Sequence, residues 1–355
     1  MLDRVLSCLQ HLNYPYFEVV VVRGPTEDGI SEVLDRWRGL IKIGRTELRN
    51  LSVSRNIGIN LASGEIIAFL DDDAFPEADW LTSIVNAYDL PEVGGAGGFT
   101  FNPDGYSYQY RYGTTDRLAR THHYPNRATP ELCFPFSARH PHLLGTNSSY
   151  LRSALVSVKG FDEEFEYYLD ETDLALRLVD AGWKIQQIDG AYVHHKFQPS
   201  ALRNKHKIVT NWYPIVKNTL YFGLRHGLYY STVDEVLDHI RSFIQKFKQD
   251  VEWAISNDFL EDYYREKLVA DAEKALRDGF KRGFSDETRY GDFSETPPEF
   301  LPFKSKPSAS ANPRCWCFIS QDYPPGPIGG IGRFTSQLAE ALADLGHDIH
   351  VITKA

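Results

Sequence analysis

Three carboxylates stand together in this sequence, Asp71, Asp72 and Asp73, directly after the apolar run at residues 66–70. Such a run is typical of a strand buried in a parallel sheet, and ligands bind α/β proteins at the edge where these strands end. Asp71 and Asp73 can point the same way, so they offer two hard oxygen ligands for Mg2+ or Mn2+. The alternative is a solvated turn in which one acid caps the next helix.

A second group of polar side chains follows about a hundred residues later. Asp170, Glu171 and Asp173 precede a helical apolar run, where the helix dipole alone would favour acids. A carboxylate near a metal is also what acid–base chemistry requires. His194 and His195 end a short strand-like run. Either histidine could complete a metal site, although such a pair also occurs on ordinary surfaces.

The elements that must position these residues alternate between strands and helices. Strands are predicted at residues 17–22, 40–43, 66–70 and 93–99, and helices at 2–12, 30–37, 53–61 and 80–88. Pro76 suits the first turn of the helix that begins near Trp80. Strands separated by helices form βα units with right-handed crossovers. We therefore expect an α/β fold of the nucleotide-binding type, with a mixed, mainly parallel sheet flanked by helices.

Between the two acidic groups lies a segment rich in aromatic residues. Tyr106, Tyr108, Tyr110 and Tyr112 alternate, so they would share one face of an extended strand. That face could stack on a sugar ring or simply pack within a sheet. Residues 121–141 are rich in histidine, proline and arginine without a period, which favours a long loop over the site.

Composition limits the classes of function. The chain has 355 residues, with 42% hydrophobic and 24% charged, as in globular proteins, and a formal net charge of -10. That charge argues against nucleic-acid binding and leaves an anionic substrate in need of a metal or arginines. The scattered cysteines suit a reducing compartment. With no signal-peptide pattern and no apolar stretch of membrane-spanning length, we expect a cytoplasmic protein, at most peripheral at the membrane.

The second half of the chain is organised differently. Helical spacing dominates residues 201–283, which predicts a helical extension from 223 to 284 after a first domain at 1–222. Residues 285–313 are rich in proline and serine, so we expect a linker. Residues 314–355 read as one Rossmann-like βαβ unit, whose strand begins with Cys315 and Cys317. These two cysteines are expected on one strand face, not in a zinc site.

Four segments in order carry a family resemblance: NLSVSRNIGINLASGEIIAFLDDDAFPEADWL, GTNSSYLRSAL, GFDEEF and YLDETDLALRLVDAGW. Over residues 2–222 the chain resembles the family 2 glycosyltransferases of the GT-A fold. The resemblance implies that Asp71 and Asp73, with Asp72 between them, form the metal-binding DXD motif for Mn2+ or Mg2+. Arg55 and Asn56 would lie beside the nucleotide-sugar donor, together with Asp71 and Asp72.

The same resemblance implies a reaction and its catalytic residues. A sugar, of hexose type, would pass from a nucleotide diphosphate to a hydroxyl of a glycan or lipid-linked acceptor with inversion, as in polysaccharide biosynthesis. Glu171 falls at the position of the catalytic base, with Asp170 as the alternative. His194 or His195 matches a histidine that approaches the metal or diphosphate in some relatives. A carboxylate base and a cation at the leaving diphosphate are what a single displacement needs.

Two features depart from the family pattern. Relatives begin with a strand before the first helix, and we expect that strand to be missing here. Relatives also carry an aspartate after the second strand, where the loop RGPTEDG has Arg23 and Gly24. Asp28, later in this loop, is counted with the donor-binding residues. The loop GPIGGIGR at 326–333 resembles a family 4 glycosyltransferase of the GT-B fold, so we expect a truncated second transferase.

Three other functions compete with this interpretation. A nucleotidyltransferase also uses paired aspartates and a metal, but it should show a glycine-rich, lysine-bearing phosphate loop near its start. A non-catalytic remnant that binds sugar nucleotides or glycans would keep the fold without the chemistry. A glycoside hydrolase needs paired carboxylates but neither a metal nor a nucleotide pocket.

Overall fold

The structure is a computed structural model that describes residues 1–25, 29–124, 126–127, 129–198, 202–294, 296–303, 314–326 and 328–353. The chain divides into two compact units, Met1–Lys304 and Ser305–Ala355. The helices of the first unit are α1 (Leu2–Leu9), α2 (Ile30–Arg36), α3 (Leu51–Leu61), α4 (Trp80–Asn86), α5 (Arg152–Ser157), α6 (Asp170–Asp180), α7 (Tyr213–His226), α8 (Val233–Ser256) and α9 (Tyr264–Gly283). Its strands are β1 (Val20–Arg23), β2 (Lys42–Arg45), β3 (Ile66–Phe69), β4 (Ala74–Pro76), β5 (Val93–Gly97), β6 (Thr100–Phe101), β7 (Tyr108–Tyr110), β8 (Tyr112–Asp116), β9 (Thr121–Tyr124), β10 (Arg139–Pro141), β11 (Ser148–Leu151), β12 (Lys184–Gln187) and β13 (Val193–His195).

A four-stranded ladder in the order β12, β5, β11, β3 carries the first acidic group at one end. β12 runs parallel to β5, whereas β11 is antiparallel to both of its neighbours. β1 and β2 pair in parallel as a separate ladder. The predicted α/β class with a mixed sheet flanked by helices is confirmed.

Glycines in β5 let large side chains close over this ladder. All five residues of β5 are buried. A Cβ at Gly95 would lie 2.8 Å from the ring of Tyr150, and one at Gly94 would lie 2.7 Å from Trp183. The strand is therefore glycine-rich because its neighbours occupy the space that side chains would need.

Helix α6 lies against this ladder and thereby fixes the second acidic group. Leu174, Ala175 and Leu178 follow helical spacing and are fully buried in a cluster with Tyr150 and Ile185. Burial of each leucine side chain stabilises the packing by about 1.5–3 kcal/mol. The apolar face holds the helix in place, so its first turn, which contains the acids, has a defined position.

A second four-stranded ladder, in the order β4, β13, β6, β7, brings distant residues to the acids. β13 pairs antiparallel with β4 and places His195 opposite Ala74, the residue after Asp73. The expectation that Pro76 opens a helix was wrong, because Pro76 ends strand β4 and α4 begins at Trp80. Within the described ladder β4 is an edge strand, where a residue without an N–H is tolerated.

Two expectations about the middle of the chain also failed. The four tyrosines do not share a face, since β7 and β8 belong to different sheets; Tyr106 is exposed and Tyr110 is buried. Residues 121–141, predicted as a loop, contain strands β9 and β10, which both pair with β8. Local periodicity could not show these pairings because the partner strand lies outside each segment.

The helical extension packs around α7. Leu220 and Leu224 of α7 share one core with residues of α8 and α9. On its other side, α7 buries Tyr221 and Phe222 against Leu176 of α6. The predicted domain boundary at residue 222 therefore falls inside a helix that packs against both parts.

Part of the predicted linker belongs to the first unit. Phe303 is only 2% exposed and stacks on Trp37, and its N–H donates to the carbonyl oxygen of Phe17 at 2.8 Å. Leu301 donates its N–H to the Glu18 carboxylate. These contacts attach the end of the described segment, at Leu301 and Phe303, to the first unit, whereas residues 304–313 lie outside the described part of the chain.

The second unit is a βαβ unit, as the sequence suggested: β14 (Cys315–Ser320), α10 (Gly330–Asp344) and β15 (Asp348–Thr353). The two strands pair in parallel. Cys315 and Cys317 are exposed and lie on the same face of β14, as expected. Across the described residues of both units, none of the helices has an apolar stretch of membrane-spanning length.

Candidate active site

The aspartate trio follows the end of β3, and its members have different surroundings. The Asp73 side chain is 11% exposed and the Asp71 side chain 40% exposed, while Asp72 is exposed. The N–H of Gln198 donates to one oxygen of Asp73 at 2.8 Å, and His195 Nε2 lies 3.1 Å from the other. Burial favours the neutral acid, but these two hydrogen bonds outweigh it and hold the pKa of Asp73 below its ordinary value.

Asp71, Asp73 and His195 form a set of side chains that fits a divalent cation. His195 Nε2 lies 3.7 Å from an oxygen of Asp71, and one ligand atom from each residue lies within 4.8 Å of the others. Two carboxylates and an imidazole match the ligand preferences of Mn2+ and related ions. Burial raises the pKa of Asp71, and the positive charges of Arg55 and His195 oppose that rise.

His194, the alternative histidine ligand, is excluded from this set. Its Nε2 lies 2.9 Å from a Glu77 oxygen, and its ring stacks on Phe101 at 4.8 Å. Neighbouring residues on a strand point to opposite faces, so β13 can direct only one histidine toward Asp73. Of the two alternatives, His195 and not His194 therefore lies with Asp71 and Asp73, and its role as a metal ligand stays a prediction.

Arg55 lies between the two acidic groups. Its guanidinium forms a short ion pair with Asp170 and lies 3.9 Å from Glu171. Burial disfavours its charge, but the nearby carboxylates of Asp170, Glu171 and Asp71 raise the pKa of Arg55 overall. One buried cation therefore interacts with acids from both β3 and α6, and the two predicted groups line a common region.

Arg55 interacts differently with the two acids at the start of α6, Asp170 and Glu171. Asp170 is buried and bonded to Arg55. Burial, followed by the negative charge of Asp170, raises the pKa of Glu171 well above its ordinary value, and Arg55 opposes this only in part. A carboxylate with a raised pKa is a stronger base once it is ionised, so Glu171 suits proton transfer better than Asp170.

The predicted donor-binding residues Asn56, Asp72 and Asp28 differ in their surroundings. Asn56 is buried, its amide donates to the Phe161 carbonyl at 2.9 Å and to Glu163 at 3.1 Å, and its oxygen accepts the Phe161 N–H. Asn56 thus uses both amide hydrogens to hold the loop before α6, and its expected place beside the donor stays a prediction. Asp72 is exposed beside the cation set. Asp28 lies outside the described residues.

Some residues that shape the site were not singled out from the sequence. A Cβ at Gly145 would lie 2.5 Å from a guanidinium nitrogen of Arg55, so glycine lets that side chain reach the acids. Asn147 accepts the Trp80 indole N–H at 2.8 Å and donates to two backbone carbonyls. Both residues lie in the segment GTNSSYLRSAL, which carries part of the family resemblance, but the spacing within it does not indicate these partners. Gln109, which contacts His195, has no sequence signal at all.

Comparison with known proteins gives a family match for the first part of the chain. Residues 1–157 match the model of Glycosyl transferase family 2, which is less than half of the chain. The family match ends at residue 157, before α6 and well before residue 314. The resemblance of residues 314–355 to a family 4 transferase therefore stays a prediction.

Three curated relatives cover only parts of the chain. O-antigen biosynthesis protein RfbC of Myxococcus xanthus is 28% identical over 192 residues, 50% of this chain and 15% of its own length. Glucosyl-dolichyl phosphate glucuronosyltransferase of Haloferax volcanii is 32% identical over 94 residues, covering 26% and 30%. Glycosyltransferase AglE of Haloferax volcanii is 31% identical over 120 residues, covering 31% and 39%. The chain thus spans well under half of each relative.

Among solved structures, similarity is more distant. S. aureus TarS 1-349 in complex with UDP-GlcNAc has a TM-score of 0.45 and 14% identity, covering 84% of this chain and 94% of that one. GalNAc-T7 with UDP, GalNAc and Mn2+ has a TM-score of 0.40 and 16% identity, covering 68% and 52%.

Proposed function

We propose that this chain, whose residues 1–157 match the model of Glycosyl transferase family 2, is an inverting glycosyltransferase. It would move a sugar from a nucleotide-diphosphate donor to a hydroxyl group of a glycan or lipid-linked acceptor. The observation that supports this most directly is the position of Arg55, which interacts with Asp71 after β3 and with Asp170 and Glu171 on α6. A base and a set of cation ligands thus line the same region.

Glu171 is the proposed base and Asp170 its positioning residue. The acceptor oxygen attacks the anomeric carbon as the bond from that carbon to the phosphate oxygen breaks. The hydroxyl proton passes to Glu171, and the nucleoside diphosphate leaves with the bonding electron pair. Asp170 cannot take this part as easily, since its carboxylate is paired with Arg55 in a buried site. Its role is to hold Arg55 and to raise the basicity of Glu171.

Asp71, Asp73 and His195 would hold Mn2+ or Mg2+ next to the donor diphosphate. A bound cation supplies positive charge that stabilises the charge developing on the leaving group. The chain itself is acidic, so a local positive charge is needed for an anionic donor.

The names of the relatives support the class of reaction. Two relatives are named as glycosyltransferases, and the name of one of them includes a dolichyl-phosphate-linked sugar. The third is named as an O-antigen biosynthesis protein. These names favour a glycan or a lipid-linked sugar as the acceptor. A cytoplasmic location with peripheral association at the membrane stays a proposal that the names do not address.

The test is a transfer assay with a panel of nucleotide sugars and Mn2+, in which Glu171→Gln is compared with the unaltered chain. Loss of the base should reduce transfer by about 100- to 10,000-fold. Donor binding, measured as the rise in unfolding temperature that a bound ligand produces, should be retained. Glu92→Gln is the matched control, because Glu92 pairs with exposed Lys184 at the opposite end of β5.

Two outcomes would contradict the proposal. Unchanged transfer by Glu171→Gln would exclude Glu171 as the base, and loss of donor binding in that variant would assign it a binding role. Asp73→Asn should abolish the dependence of donor hydrolysis on Mn2+. Equal background rates in the unaltered chain and in Asp73→Asn, with donor still bound, would instead indicate a non-catalytic sugar-nucleotide-binding protein.

A further inference from the structure

Gln109 contacts the edge of the His195 ring that points away from Asp71 and Asp73. The His195 side chain is 10% exposed, and its two ring nitrogens have different partners. Nε2 points toward Asp73 at 3.1 Å and Asp71 at 3.7 Å, whereas Nδ1 lies 2.9 Å from Oε1 of Gln109. Phe197 packs edge-on against the same ring at 5.6 Å. The ring is thus fixed in position by Phe197 and in orientation by Gln109.

The hydrogen bond that His195 Nδ1 donates to Gln109 decides which ring nitrogen can bind a cation. The Gln109 oxygen can only accept, so Nδ1 must carry a proton. Without a cation, Nε2 also carries a proton, which it donates to Asp73 at 3.1 Å. A cation bound at this site would replace that proton; the imidazole would then be neutral with its single N–H on Nδ1, and Nε2 would present its lone pair toward Asp71 and Asp73. With the opposite tautomer, the imidazole would present a proton to the cation site.

We propose that Gln109 is a positioning residue that holds His195 in the tautomer able to bind a divalent cation through Nε2. This inference rests on the cation site of the proposed function and adds a residue outside the segments that carry the family resemblance. Gln109 lies on β7, two strands away from β13 in the same ladder. It reaches the site only because that ladder forms. A partner of this kind typically changes metal affinity by about 10- to 100-fold when it is lost.

The test measures Mn2+ binding to the full chain by the electron paramagnetic resonance signal of free Mn2+, without nucleotide or sugar. Gln109→Leu removes the acceptor and should weaken Mn2+ binding by at least about 10-fold. Gln109→Glu keeps an oxygen acceptor and should retain affinity within a few fold of the unaltered chain. Gln249→Leu, the same change on the exposed surface of α8, should have no effect, and thermal unfolding shows whether each variant is folded.

A double-mutant cycle separates an effect through His195 from a general disturbance. In a His195→Gln background, Gln109→Leu should cause no further loss of Mn2+ affinity. An equal loss in both backgrounds, or unchanged affinity in Gln109→Leu, would overturn the inference. Absence of Mn2+ binding by the unaltered chain would overturn it together with the cation site. Because no sugar transfer is measured, failure of the transferase assay alone would leave this result unaffected.

Discussion

Replacement of Phe303 by alanine tests whether the end of the first unit is part of its core. The ring is 2% exposed, and its centroid lies 5.8 Å from that of Trp37 and 5.5 Å from that of Phe17. Truncation of a buried phenylalanine costs about 3–5 kcal/mol, from lost burial and the cavity left behind. Since two aromatic contacts are lost as well, we expect Phe303→Ala to lower the free energy of unfolding of the first unit by about 4 kcal/mol.

Phe300 provides a matched control three residues away. It is 41% exposed, so Phe300→Ala should change the free energy of unfolding by less than about 1 kcal/mol. The measurement is guanidinium-induced unfolding followed by tryptophan fluorescence, to which Trp37 contributes a signal next to Phe303. Equal losses in both variants, or no loss in Phe303→Ala, would refute the conclusion that this segment is packed into the core.

Two further predictions concern stability. A Cβ at Gly98 would lie 1.8 Å from the carbonyl oxygen of Ala191, so Gly98→Ala should destabilise the first unit by about 3 kcal/mol or more. Gly58→Ala, in a helix with space around it, should instead stabilise it by about 0.5–1 kcal/mol, and a destabilised Gly58→Ala would contradict this use of the geometry. Burial opposes ionisation of Glu18, but its bonds to Lys42 and to two backbone N–H groups outweigh burial and lower the pKa of Glu18 below 4.5. The ionised carboxylate therefore stabilises the fold at pH values above the pKa of Glu18 in the unfolded chain, and this contribution is lost as the pH falls through the pKa in the folded chain. In urea unfolding, Glu18→Gln should lower the free energy of unfolding at pH 7 and lower it less at pH 3. An equal loss at both pH values would refute this prediction.

The acidic groups were predictable because each follows from a local pattern. Asp71 and Asp73 come after an apolar strand, and Glu171 comes at the start of an amphipathic helix. The α/β class followed from segments in which strand-like and helix-like spacing of apolar residues alternates along the chain. Such patterns span about ten residues and require no knowledge of the partner strand.

The missed features depend on contacts between distant parts of the chain. The choice between His194 and His195 is made by the register of β13 against β4, some 120 residues earlier. Phe303 lies in a proline-rich stretch without a period, and only its packing against Trp37 makes it a core residue. An asparagine such as Asn56 is a common type of ligand-binding residue, but here its amide donates to the carbonyl of Phe161, in a loop 105 residues later.

The pairing of β11 has a consequence for local motion. Among the described strands, β11 is bonded to β5 on one side and β3 on the other, whereas β1 is bonded to β2 alone. Detaching β1 breaks one row of hydrogen bonds, but releasing β11 breaks two. Backbone amides of β11 should therefore exchange with deuterium chiefly through global unfolding, and those of β1 through smaller openings. The aspartates follow β3, which is bonded in the described ladders to β11 alone, so they lie next to the strand that is expected to open last.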